Sequence, residues 1–500
     1  MTDIVQVLME PELEFLHGQR VQDPHDGLGL FGPFSADKPS HPKSIVYGII
    51  GSKDGIAAHT LWSEAITRPI LSEGDLDTRL WPHFPGFDAA FLSNWTTKPA
   101  FEFEIDRQTL SLASRNLDPY KRTYEVVNAY IQGIGVARRR DEAFGVIVCV
   151  VPDEVWKNCR PESMVLDGVG LRVSRQEQKQ RIKGQANLFE HFDPDQYSLS
   201  VDFRRQLKAR AMEYDIPLQI IRESTLRLGP PTEDSPRNMT PLSDRAWNLS
   251  TTLYYKAGGK PWRLAGARDG VCYVGIAFRK INPDEGNRSA CCAAQMFLDS
   301  GDGIVFTGEN GPWYSPERGQ FHLSRSAAKN LLEGVLKTYR ESYGKELTEV
   351  FLHCRSDISP DEYKGYREAC PKGVKLVGVR VRLERGGLRL FRHGEMPVIR
   401  GSFLEVNNRT GFLWASGFKP RLATYDGWEV PTPLRIDIQH GTASLPQVAK
   451  DIFGLTKLNY NACNLGDSEP VTVLFSNAVG EILVANPTVA KRLPQFKFYI

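Results

Sequence analysis

Val271-Cys272-Tyr273-Val274-Gly275-Ile276-Ala277-Phe278 is an apolar run rich in β-branched and aromatic residues, and it reads as a buried strand. Working outward, Ser289 to Leu298 and Gly303 to Thr307 read as two more strands. Ser324 to Ser342 has the spacing of an amphipathic helix, and Glu349 to Cys354 is again strand-like. The expected order is three antiparallel strands, a helix, and a strand lying parallel to the first. Upstream, Phe144 to Val151 suits a buried parallel strand. Pro152-Asp153-Glu154 then puts a proline and two acids where a helix N-terminus favours them. With a helical stretch near Tyr120 to Gly133, strand alternates with helix as in an open α/β sheet.

A chain of 500 residues exceeds one ordinary core, so more than one domain is expected. A polar break begins at Leu228-Gly229-Pro230-Pro231 and runs to Leu242. The fold class is therefore α/β: a Rossmann-like domain over 1–245, opening on a loop-rich segment, then an RNase H-like domain over 246–500. Gly51-Ser52-Lys53-Asp54-Gly55 follows a strand over Ser44 to Ile50, but lacks the ending of a Walker loop.

The 62 Lys and Arg nearly balance the 60 Asp and Glu, so the chain is not basic as a whole. Its cations are clustered: Arg138 to Arg140, Arg172 to Lys183, Arg204 to Arg210, and Lys372 to Arg392, where Glu384 is the one acid. Such clustering points to a polyanionic partner reached through local grooves. The eight cysteines form no CxxC pair, and free buried thiols in a reducing compartment are expected. The chain opens without a basic region leading into an apolar run, and its longest apolar run is too short to span a bilayer. The expected setting is soluble and cytoplasmic, with no membrane contact.

Asp202 to Glu213 has helical composition, and Arg204 and Lys208 are spaced to share one face of that helix. Two cations so close repel unless an anion lies between them. Gln219 follows at the start of the next strand, after Asp215-Ile216-Pro217. Lys256 stands at a helix end before Gly258-Gly259, where glycine permits a left-handed cap. On residue type alone these positions could hold a phosphate or could be exposed helix cations.

Arg204, Lys208 and Gln219, the phrase Ile216 to Ile221, and Lys256-Ala257-Gly258-Gly259-Lys260-Pro261-Trp262 resemble the MID domain of Argonaute proteins. Pro11 to Phe15, Val151 to Lys157 and the late Leu455-Thr456-Lys457-Leu458-Asn459-Tyr460-Asn461 extend the resemblance along the chain. With no room for N and PAZ domains, the layout is similar to a short prokaryotic Argonaute. The resemblance implies that Arg204, Lys208, Gln219 and Lys256 grip the 5′-phosphate of a guide strand, with Arg204 also stacking on its first base. It further implies that Ile500 brings a terminal carboxylate to the site. With Gln219, Ile500 would hold a structural Mg²⁺ against the guide phosphates.

An RNase H-like nuclease needs carboxylates for two metal ions. Where active Argonautes carry the first Asp, this chain has Ala277. Arg355 is the expected replacement of the second and Asn477 of the last; Asp357 lies close to Arg355, and Glu309 could be a remnant glutamate. The implied protein does not cut. Val377 to Arg392 reads as a hairpin around Gly386-Gly387, with Arg380 and Arg382 on one face and Arg389 joining them to line a guide–target channel. The resemblance implies a guide RNA, a single-stranded DNA target, a role in defence against phages and plasmids, and a partner carrying an APAZ domain and a TIR, Sir2 or nuclease effector. An active guided nuclease, and a scaffold blind to the 5′-phosphate, remain open.

Overall fold

The computed structural model describes all residues except 1–4, 73–76, 141–143, 183–193, 230–238, 281–289, 298–302, 308–312, 316–319, 344–345, 428 and 487–492; Glu309 therefore lies outside the described residues.

Four parallel strands form the first sheet, in the order Phe101–Glu104, Tyr47–Gly51, Val146–Val151, Leu218–Arg222. Every residue of Val146–Val151 and Tyr47–Gly51 is buried, as unbroken apolar runs require when helices cover both faces. Helix Pro119–Arg138 follows its proline start, and Asp118 caps it by accepting from the Tyr120 N–H. Helix Phe203–Ala211 sits between the last two strands. Asp202 caps it through the Arg205 N–H, at 3.0 Å, and Asp215, with φ 57, ends the following turn in the left-handed region. That turn delivers Gln219 to the head of the edge strand.

The second sheet has nine strands. Val271–Lys280 pairs antiparallel with Ala290–Phe297, which pairs antiparallel with Gly303–Thr307. After helix Arg325–Tyr343, Glu349–Cys354 returns parallel to the first strand. The predicted strand order is thus the observed one. Lys375–Leu383, Leu434–His440, Thr410–Trp414, Ser402–Asn407 and finally Val5–Val7 extend the sheet.

Two features cross the expected division of the chain. Val5–Val7 joins the second sheet, and Leu13–Glu14 pairs with Arg263–Leu264. Helix Leu242–Lys256 runs across residue 245, with Trp247, Leu253 and Tyr254 buried in a core that also takes in Ile49, Val148, Phe453 and Val471. Just after it, the Trp262 indole donates to Lys457 O at 2.9 Å and the Tyr460 hydroxyl donates to Trp262 O at 2.8 Å, which ties the Gly-Gly loop to the late Leu455 to Asn461 segment.

The hairpin expected around Gly386-Gly387 does not form. Lys375–Leu383 is a central strand, with Glu349–Cys354 along one edge and Leu434–His440 along the other, so no edge is left for a returning arm. Residues 384–401 are a loop instead. All six cysteines that can be described are free and buried, and burial pushes the Cys149 and Cys159 thiols up to about 12. No helix among the described residues is long and apolar enough to cross a membrane.

Candidate nucleic-acid interface

The four side chains expected to hold a phosphate come from three elements. Arg204 and Lys208 stand on helix Phe203–Ala211, Gln219 near the head of Leu218–Arg222, and Lys256 at the end of helix Leu242–Lys256. Gly258, at φ 104, allows the chain to turn away directly after Lys256. The structure brings them together at the last residues of the chain. Lys256 Nζ donates to Leu218 O at 2.6 Å, Gln219 Oε1 at 2.8 Å and the Ile500 main-chain oxygen at 2.6 Å. Lys208 Nζ donates to Tyr499 O at 3.1 Å. Lys208 is 3 % exposed and Lys256 1 %.

Among the described residues no Asp or Glu side chain accepts from either lysine; the acceptors are the main-chain oxygens of Leu218, Tyr499 and Ile500 and the Gln219 amide. Burial pulls both ammonium groups well below the ordinary lysine range; the charge of Arg204 pulls both the same way, and Lys256 does so for Lys208. A phosphate placed beside these groups would favour their charged forms. Arg204 is exposed and lines a cleft of about 330 Å³ together with Trp156, Arg160, Arg205, Glu481 and Tyr499. Arg160 lies over the Trp156 ring at 4.7 Å, and Arg205 closes one side by an ion pair with Glu481 at 2.8 Å. Tyr499 links this cleft to the lysines: it lines the cleft and its carbonyl accepts from Lys208, while Lys208, Gln219, Lys256 and Ile500 do not line it. Trp156 and Glu481 were not singled out in the sequence. Trp156 lay within a recognised phrase, but nothing in its spacing marked it as a cleft wall.

Gln219 Oε1 and the Ile500 oxygen share Lys256 Nζ as partner, so they converge on one cation position. The Gln219 amide brings no negative charge, whereas the Ile500 oxygen would bring one as part of a terminal carboxylate. The pair fits a hard divalent ion that arrives with phosphate oxygens and keeps its own waters, not one held by a protein cage. No cluster of three His, Cys, Asp or Glu able to hold a metal occurs among the described residues.

The three positions expected in place of nuclease carboxylates also lie together. Ile276 pairs in parallel register with Cys354, so Ala277, within strand Val271–Lys280, is next to the point where Arg355 leaves the end of Glu349–Cys354. Helix Val471–Leu483 packs across this part of the sheet; Gly275 meets the Thr472 carbonyl so closely that a side chain could not be inserted. Asn477, on the same helix, turns its amide oxygen to Arg355 and accepts from Nη1 at 2.7 Å and Nε at 3.2 Å. Glu469 accepts from Arg355 Nη2 through both oxygens, at 2.8 and 2.7 Å. A guanidinium held by a carboxylate and an amide therefore occupies this corner, beside a buried methyl group. Glu469, whose role the sequence did not signal, is its counter-charge. Close by, His353 bonds Thr472 Oγ1 at 2.9 Å, and burial holds its imidazole down to about 3.

Asp357 turns elsewhere: it is ion-paired with Arg380 and accepts from Gln439 Nε2 at 2.5 Å. This corrects the expectation for Arg380, which is not a free cation facing a channel. Its guanidinium is shared between Asp357 and Asp437, the latter at 2.7 Å. Arg382, on the same strand face, is half-buried, while Arg389 is exposed in the loop and does not join the strand.

No family model matches the sequence, and no curated protein sequence matches it. Solved structures do match the fold. The Clostridium butyricum Argonaute bound to a guide DNA and a 19-mer target DNA superposes with a TM-score of 0.60 at 15% identity, over 100% of this chain and 55% of that one. The A. aeolicus Argonaute gives 0.60 at 13% identity, over 100% and 56%. Aa-Ago with externally bound siRNA gives 0.59 at 14%, over 99% and 56%. The chain spans little more than half the length of these relatives. What it shares with them is the fold: this chain has the MID–PIWI architecture of Argonaute proteins.

Proposed function

We propose that the chain binds a guide strand by its 5′-phosphate and presents it for pairing with a single-stranded DNA target, without cutting that target. The observation that carries this reading is the pair of buried lysines, Lys208 and Lys256, which among the described residues meet main-chain oxygens and the Gln219 amide and no Asp or Glu side chain. A phosphate entering past Arg204 would supply the missing negative charge through charge-assisted hydrogen bonds. Gln219 and Ile500 would then share a Mg²⁺ brought in by the guide phosphates, which supplies further screening of their charge.

The corner built by Ala277, Arg355 and Asn477 supports the non-slicing half of the reading. A guanidinium bound to Glu469 repels a divalent ion, and a methyl group cannot ligate one. Such a protein needs another activity to act on what it finds. The reading therefore includes an APAZ-bearing partner with a TIR, Sir2 or nuclease effector, a role in defence against phages and plasmids, and a guide of RNA.

The test is the nucleic acid that purifies with the protein. A guide strand with a 5′-phosphate accepts a kinase label only after phosphatase treatment, and ribonuclease removes it if it is RNA. Strands that label without phosphatase contradict the phosphate reading. Cleavage of a matched target by the lone protein in Mg²⁺ or Mn²⁺ contradicts the non-slicing reading.

A further inference from the structure

Residues 384–401 leave the second sheet from the end of Lys375–Leu383. That strand runs parallel to Glu349–Cys354, with Arg380 beside Cys354, and then continues to Leu383. The loop therefore emerges at the same end of the sheet as Ala277 and Arg355, and it leads on to strand Ser402–Asn407.

Its composition is unusual for a solvated turn. Arg385, Arg389, Phe391, Arg392 and His393 are all exposed, and no acid lies between Glu384 and Glu395. Phe391 is 73% exposed, and it is the one exposed Phe, Tyr or Trp among the residues whose side chains are described. The segment behind it is fixed. Arg392 lies over the Phe418 ring at 4.5 Å and donates from Nε to Met396 O at 3.1 Å. Phe418 N in turn donates to Val398 O at 2.8 Å. Arg392 is thus held against the body of the protein, while its neighbour Phe391 is left open to solvent.

A ring kept in water on a loop that carries three guanidinium groups is a combination suited to a nucleobase and its flanking phosphates. A protein-docking surface calls for a contiguous apolar patch, and the only other exposed large apolar side chain of this loop is Met396, at 40% exposure. We propose that this loop is a single-strand contact site. Phe391 stacks on an unpaired base of the target beside the guide–target duplex, and Arg385 and Arg389 hold the adjoining phosphates. The inference rests on the guide–target reading above and locates a further point at which the target is held.

The test uses the full chain loaded with one guide and two targets: one flush with the guide, one carrying a single-stranded extension. The unmodified protein should bind the extended target about tenfold more tightly, the size of one base–aromatic stack. Phe391→Ala should abolish that gain, Phe391→Trp should keep it, and Arg389→Gln should reduce the salt dependence of the gain. The inference is overturned if Phe391→Ala binds both targets as the parent does, if it weakens both equally, or if it loses only a protein partner. Equal binding of 5′-phosphorylated and 5′-hydroxyl guides, with the extension effect intact, would count against the guide reading alone.

Discussion

Lys208→Met separates a binding role from a structural one. The substitution keeps most of the side-chain volume and removes the ammonium. Lys208 donates to Tyr499 O at 3.1 Å, and its charge is opposed by burial, Arg204 and Lys256. Loss of one neutral acceptor contact amounts to about 1 kcal/mol, offset by relief of cation repulsion, so the melting temperature should change little. Guide binding should respond differently. A hydrogen bond to a charged group is worth about 1.5–3 kcal/mol, which corresponds to roughly a 10- to 150-fold loss of affinity for a 5′-phosphorylated guide. A 5′-hydroxyl guide should lose almost nothing. The assay is equilibrium binding of both guides to parent and variant, alongside thermal unfolding without guide. Equal weakening of both guides, or a protein that melts far earlier yet binds the phosphate normally, would refute the reasoning.

Four further outcomes are expected. Because the pKa values of Lys208 and Lys256 are depressed, phosphate binding should draw protons onto them; affinity for the phosphorylated guide should therefore fall as pH rises, with no such slope for the hydroxyl guide. Lys457 is buried and pulled down to about 8, despite its contact with Glu10, so the unfolded chain binds more protons than the folded one between about pH 8 and its ordinary value. Stability from this group should rise with pH across that window, and urea titrations of Lys457→Met should show a flatter profile. Ala277→Asp combined with Arg355→Asp should not by itself create metal-dependent cleavage, because Asn477 stays in place of the last ligand and Glu469 loses its counter-charge; measurable target cutting in Mn²⁺ would contradict this. Gly275→Ala drives a side chain into the Thr472 carbonyl and should destabilise by about 2 kcal/mol or more in chemical denaturation.

Much of the fold was legible in the sequence because its central strands are buried on both faces. Val146–Val151 and Val271–Lys280 show as apolar runs, and the strand order around them followed from their spacing. The path of residues 384–401 was not legible. Gly386-Gly387 carries a turn signal, but a hairpin needs a free sheet edge, and Leu434–His440, far along the chain, fills it. The same long-range pairing hid the state of Arg380: its partners Asp357 and Asp437 come from two other segments. Arg204, Lys208, Gln219 and Lys256 could be gathered from a recognisable phrase. The burial of the two lysines and their reach to Tyr499 and Ile500 are tertiary facts with no local sign. Glu469 was missed for a like reason, since a single carboxylate in a polar segment resembles any surface residue until Arg355 is found against it.

Competition between two guides of identical sequence, one ending in a 5′-phosphate and one in a 5′-hydroxyl, tests the central claim most directly. With two buried lysines to be satisfied, the phosphorylated strand should win by at least tenfold at low salt, and the advantage should shrink in Lys256→Met. Indifference of the unmodified protein to the terminal phosphate would contradict the account.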